Sequence, residues 1–185
     1  MSRAPEVIRT ARLMLRPPRM DDAQRIFEAY AQDPEVTRYL SWRPHESIHE
    51  TREFVRGCMQ AWERGSRFPW VITRITDGAV IGMIDLTLSW YLGSIGYVLA
   101  RPHWGKGYMT EAAQAVVDAA FSLPDVSKVN AMCDVENVAS ARVLEKIGMV
   151  REAQLARFAV HPGVSDEPRD VFVYAKGTSP TLVSQ

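Results

Sequence analysis

One stretch limits the possible folds more than any other: "SIGYVLARPHWGKGYMTEAAQAVVDAAF", running from Ser94 to Phe121. Branched and aromatic residues typical of a strand lead through Pro102 to two glycines, Gly105 and Gly107, and then to apolar residues at helical spacing. The alternating segment "KVNAMCD" follows, from Lys128 to Asp134. Strand, loop, helix and strand in that order make a β-α-β unit, whose strands run parallel and whose crossover is right-handed. Glycine at a helix mouth costs conformational entropy where Ser, Thr or Asp would cap, so the bare backbone there points to a close approach. Unpaired amides of a first helical turn, with the macrodipole behind them, form a seat for an anion. Lys106 can add charge at its rim, and Thr110 can cap the helix or offer its hydroxyl. The same residues also suit a plain glycine turn entering a packed helix. A G-x-x-x-x-G-K-[ST] phosphate loop is absent, and a dinucleotide fingerprint would need Gly or Ala where Thr110 stands. A nucleotide-dependent oxidoreductase is therefore disfavoured.

The remaining chain supplies the rest of such a sheet. "VIRTARLML", Val7 to Leu15, reads as a strand ended by Pro17 and Pro18. Asp21 with Gln24, and Ser47 with Glu50, are capping-box pairs that open two helices, the second expected to run to about Glu63. "VTRYLSWRPHE" connects them. "PWVITRITDGAVIGMIDLTLS" is two strands about the turn dipeptide Asp77-Gly78, with a third strand after a break at Gly93-Ser94. "NVASARVLEKIG" is a short helix capped by Asn137 and stopped by Gly148, and "RDVFVYAK" is the last strand. The expected fold is a single α/β domain (mixed α+β) over residues 7–176: a central twisted mixed sheet, largely antiparallel, flanked by about four helices. The tail, residues 177–185, has no periodicity and is expected to be mobile.

Composition narrows the partners. Lys+Arg and Asp+Glu both number 22 in the 185 residues, so no net field attracts nucleic acid or an acidic membrane. No apolar run approaches the about 20 residues of a membrane span, and "MSRAPEVIRT" lacks a signal-peptide core, so a cytoplasmic protein is expected. Cys58 and Cys133 lie in apolar periodic segments without C-x-x-C or histidine neighbours, which suits buried free thiols rather than a metal site.

With "IGYVLARPHWGKGYMTEAAQAVVDAAF" followed by "DVENVASARVLEKIGMV", the chain resembles the acetyl-CoA-binding half of the GNAT acetyltransferases, and most closely the Rim-type subfamily that acetylates protein N-termini. "TARLMLRPPRMDDAQRIFEAY" and "EVTRYLSW" resemble that group too, so the likeness spans about Val7 to Lys176. The resemblance implies a splayed pair of parallel strands gripping the pantetheine of acetyl-CoA by the backbone of Tyr97, Val98 and Leu99. It implies pyrophosphate on Gly105, Lys106, Gly107, Tyr108, Met109 and Thr110, and Asn137 against the pantetheine. The acceptor it implies is a primary amine, foremost a protein N-terminus and next a polyamine or other small amine, with the enzyme a monomer or homodimer. Two departures stand out: Pro102 occupies the position of the general family's Gln or Arg, and Glu145 that of a tyrosine acid found in many members.

Acetyl transfer from a thioester needs a neutral amine, a polarised carbonyl and a stabilised thiolate. Ser140, one turn after Asn137, is the candidate to face the sulfur; local capping of the helix is its other reading. A backbone N–H near Val98 can polarise the carbonyl. No base stands out: Asp85 lies within a strand, His103 beside the loop and Glu46 between helices, while Ser94 occupies the place where some Rim relatives have Glu. Deprotonation through water is preferred. Trp42, Phe68 and Trp70 are the candidates to line the acceptor pocket. A module that binds acyl-CoA without catalysis is the alternative of a different class.

Overall fold

The computed structural model describes residues 3–177, so the expectation for the tail lies outside the described residues except at Gly177, the last residue of the final strand. In chain order the elements are β1 Ile8–Arg9, β2 Leu13–Arg16, α1 Asp22–Ile26 continued by a π-helical turn Phe27–Ala31, α2 Pro34–Thr37, α3 Ile48–Arg64, β3 Arg67–Arg74, β4 Val80–Ser89, β5 Leu92–Leu99, α4 Tyr108–Phe121, β6 Lys128–Asp134, α5 Val138–Lys146, β7 Val150–His161 and β8 Ser165–Gly177. The strands form one sheet in the order β1-β2-β3-β4-β5-β6-β8-β7. Every neighbouring pair is antiparallel except β5 and β6, which are parallel as the β-α-β order requires.

Helices cover both faces. One core cluster packs α4 and α5, through Met109, Ala112, Ala113, Val116, Val117, Ala120 and Leu144, onto Phe68, Trp70, Ile84, Leu86 and Ile95. The other packs α1 and α3, through Ala23, Ile26, Val55 and Cys58, onto Val71 and Met83. Because strand side chains alternate, from Met83 onward the residues of β4 in step with Met83 face α1 and α3 and those in step with Ile84 face α4 and α5, whereas a register irregularity before Gly82 reverses this for Val80 and Ile81.

Several expectations are corrected. "VIRTARLML" is a hairpin, with Ile8 opposite Leu15, because the chain turns back at Thr10–Arg12. Gly93 and Ser94 lie inside β5, and the preceding turn is made by Trp90 and Tyr91, with Trp90 at φ 55°. In the β3–β4 connection only Gly78 has positive φ, at 65°. Asp21 makes no cap hydrogen bond; Asp22 instead accepts from the Arg19 amide at 2.8 Å and from Arg16 at 2.7 Å. A twelve-residue strand, β7, stands where no strand is expected from the sequence pattern.

Candidate active site

β5 and β6 are paired only from Leu92–Lys128 to Ser94–Asn130 and part beyond that point. At the apex the Ser94 hydroxyl donates to Asn130 Oδ1 at 2.6 Å. Which backbone groups face the gap follows from the β4–β5 register. The Ala100 amide donates to Ile81 O at 2.8 Å, and alternation from there directs the N–H and C=O of Val98 and Gly96 at Met83 and Asp85 on β4. Tyr97 and Leu99 therefore present theirs to the gap, and Val98 does not, which corrects the expectation for its amide. The Trp104 indole already donates to Leu99 O at 2.7 Å.

On the α5 side of the gap, the Tyr97 hydroxyl lies 2.8 Å from Ser140 Oγ and 3.3 Å from Ser140 O. Burial holds the Tyr97 phenol well above its ordinary value, so it stays protonated. Cys133, beside Ser140, is pushed up to about 11 by burial. Asn137 caps α5, its Oδ1 accepting from the Ser140 amide at 3.1 Å. The cap is thus made by the Asn137 side chain and the Ser140 backbone, and the Ser140 hydroxyl is engaged elsewhere. Glu145, at the place of the family tyrosine, turns away to accept from Tyr174 at 3.0 Å. The phenol in the gap comes from strand β5 instead.

The glycine loop is open and braced. Gly105 and Gly107 lie at φ 72° and 77°, left-handed conformations that favour glycine. The first amide to find an acceptor within α4 is that of Glu111, on Gly107 O at 3.0 Å, so the turn Tyr108, Met109, Thr110 keeps its helix-start donors. Met109 is buried in the core, so only its backbone can serve a ligand. Lys106 Nζ is drawn back to Pro102 O at 2.8 Å. A different cation holds the loop: Arg12, before β2, donates to Lys106 O at 3.0 Å, pairs with Glu111 at 2.6 Å and lies 4.4 Å from the Tyr108 ring centroid. The sequence carried no signal for Arg12, which sits 94 residues from Lys106 along the chain.

The proposed acceptor aromatics separate. Trp42 stacks against His45 with centroids 4.8 Å apart and lines an open groove of about 600 Å³ with Glu46 and Glu50. Phe68 and Trp70 are 0% exposed in the core beneath the α4 face, packed on Trp62 at 5.0 and 5.3 Å, and are not pocket residues. Inward-facing positions on a central strand bury them. Instead the β7–β8 turn closes on the segment before α3: Arg43 donates to Pro162 O at 2.9 Å and pairs with Asp166 at 2.5 Å, and Gly163 presses against the Arg38 backbone. The base candidates lie apart, with His103 at the glycine loop, Glu46 at the Trp42 groove and Asp85 on β4.

Parted parallel strands leading into a glycine-opened helix, with two hydroxyls meeting at the gap, define an acyltransferase scaffold. The family model of the acetyltransferase (GNAT) domain matches residues 12–150, and the chain belongs to the GNAT acetyltransferase family. It is 30% identical over 172 residues to the uncharacterized N-acetyltransferase YoaA of Bacillus subtilis (strain 168), covering 91% of this chain and 95% of that one. Its fold matches the GNAT-family acetyltransferase of Bacillus anthracis at TM-score 0.81 and 28% identity, covering 92% and 98% of the two chains. Mycobacterium smegmatis RimJ, solved in complex with CoA-disulfide, matches at TM-score 0.80 and 22% identity, covering 98% and 88%.

Proposed function

We propose that the protein moves an acetyl group from acetyl-CoA to a primary amine by direct transfer, with a protein N-terminal α-amine as the leading acceptor. The observation that carries this reading is the Tyr97–Ser140 hydroxyl pair, 2.8 Å apart, beside the gap between the parted strands. The surrounding residues fit the cosubstrate. The Tyr97 N–H and C=O and the Leu99 N–H form a strand edge for pantetheine, and the open loop Gly105–Thr110 offers helix-start amides to pyrophosphate. Arg12 adds charge at that loop in addition to Lys106. The Asn137 amide, whose carbonyl caps α5, can donate its N–H2 to pantetheine. The thioester of acetyl-CoA supplies the activated acyl group. Ser140, oriented by Tyr97, donates a hydrogen bond to the sulfur as it takes up negative charge.

A protein terminus is favoured by the fold shared with RimL, described as a ribosomal L7/L12 alpha-N-protein acetyltransferase. The Trp42 groove, with Glu46 and Glu50 on its rim, favours a second acceptor class, a cationic small amine such as a polyamine. The test is free-thiol release from acetyl-CoA across serine- and alanine-initiated peptides and polyamines. Turnover with a peptide terminus supports the leading reading, and turnover with polyamines alone the second. Saturable acetyl-CoA binding without turnover across the panel would make the protein a non-catalytic acyl-CoA-binding module.

A further inference from the structure

The carboxylates on the elements around Ser140 are engaged, Glu145 by Tyr174 and Asp134 by Arg169, and the apex residue Ser94 is a hydroxyl tied to Asn130. The opposite face of the sheet holds a carboxylate at the same level. Asp85 on β4 pairs with Gly96 on β5, two residues past Ser94, where the strands have just begun to part. Its side chain is in step with Met83 and so projects to the α1–α3 face, away from Tyr97 and Ser140. That face is open at this level: Gly96 is exposed, and Met132, on β6 across the gap, is 53% exposed.

The carboxylate is built asymmetrically. Arg67 at the start of β3 holds only Oδ2, from Nε at 2.7 Å and Nη2 at 2.6 Å. The other oxygen, Oδ1, lies toward Gly96, and a Cβ there would come within 3.3 Å of it. Glycine at 96 thus leaves room beside that oxygen on the side of β5. The groups facing the carboxylate are Arg67 from β3, the Gly96 amide from β5 and the Cys58 thiol from α3. Burial raises the Asp85 pKa, and the guanidinium and the amide offset this only in part.

We propose that Asp85 is the general base, taking a proton from the incoming ammonium on the face of the gap opposite Ser140. This rests on the acetyl-transfer reading above. One ammonium proton passes to Asp85 Oδ1, and the freed nitrogen lone pair forms the nitrogen–carbon bond as the carbon–sulfur bond breaks. The nitrogen's second proton leaves for the sulfur, giving amide and free thiol, and Asp85 returns its proton to water.

The pH dependence of kcat/KM, measured on whole protein with acetyl-CoA and the best acceptor among serine- and alanine-initiated peptides and spermidine, tests the assignment. Asp85→Asn is expected to lower kcat at neutral pH by about 10²- to 10⁴-fold with the acetyl-CoA KM unchanged, and to erase the acidic limb. Arg67→Gln is expected to move that limb to higher pH, because losing the cation favours the protonated acid. Gly96→Val, which covers Oδ1 while leaving the carboxylate in place, provides the check if Asp85→Asn fails to fold, and is expected to lower kcat/KM for the amine alone. A wild-type limb retained in Asp85→Asn, an unmoved limb in Arg67→Gln or an unaffected Gly96→Val overturns the proposal while acetyl transfer stands. A wild type that turns over no amine removes the acetyl-transfer reading, and this assignment with it.

Discussion

The Tyr97 phenol carries one proton, and its direction decides what Ser140 can do. Donated to Ser140 Oγ at 2.8 Å, it leaves the serine proton free to point into the gap. Cys133, the thiol beside Ser140, is held protonated with its pKa pushed up to about 11 by burial, so no second anion competes for that proton near neutral pH. Aromatic residues elsewhere are governed by packing. Phe68, wedged between Trp62 and Trp70, is core, and Phe68→Ala is expected to cost about 3–5 kcal/mol of stability. Denaturant unfolding measures that loss, and the acceptor KM per folded molecule is expected to stay unchanged. A raised KM at native stability would return Phe68 to the pocket.

Among the elements, the loop into α4 combines two demands, bare backbone at Gly107 and a brace from Arg12, whose Nη2 would lie 3.5 Å from a Cβ at 107. Gly107→Ala should therefore weaken CoA binding as well as cost about 1–2 kcal/mol from the left-handed conformation. Gly65, the C-cap of α3 at φ 73° with open space around it, is the control. Gly65→Ala should cost similar stability and leave CoA affinity intact by calorimetry; equal affinities in both variants would detach the loop from binding. Elements of this kind were readable because their signals are local: the apolar periodicity of α3 and α4, the Asn137 cap and the glycines. β7 escaped because it is an edge strand with register shifts, largely exposed and carrying helix formers in "REAQLAR", so no alternation marks it. The Trp90–Tyr91 turn lacks the glycine or asparagine that would announce it. Arg12 at the loop, Tyr97 at Ser140 and Asp85 beside Gly96 arise from register and long-range contact, which one-dimensional spacing does not encode. The same register removed Val98 from the gap.

Over the whole molecule, the β7–β8 hairpin is held by the β6–β8 ladder and is tied also to the segment before α3 through Arg43 and to the end of β6 through Arg169, which pairs with Asp134 at 2.6 Å and Glu136 at 2.9 Å. Burial alone would raise the Asp134 pKa, but Arg169 and the Glu136 amide more than offset it and hold the group below the ordinary carboxylate value. Its stabilisation is then fully present above the unfolded value and is lost as pH falls through the folded one. Melting temperature should decline below about pH 4, and Asp134→Asn should lower it at neutral pH while flattening that decline. Parallel acid declines in the two proteins would dissociate the pair from acid stability. These fastenings hold the hairpin against β6, the strand that forms the far wall of the gap, and the acetyl-transfer reading joins parts drawn from Arg12 to Ser140. Its most direct test is the steady-state turnover of Ser140→Ala at saturating acetyl-CoA, compared with wild type per folded molecule. If the hydroxyl stabilises the departing sulfur, kcat and kcat/KM for the amine fall together by about 10²-fold, at the low end for proton assistance, with CoA affinity retained. Full turnover by the folded variant would contradict the account.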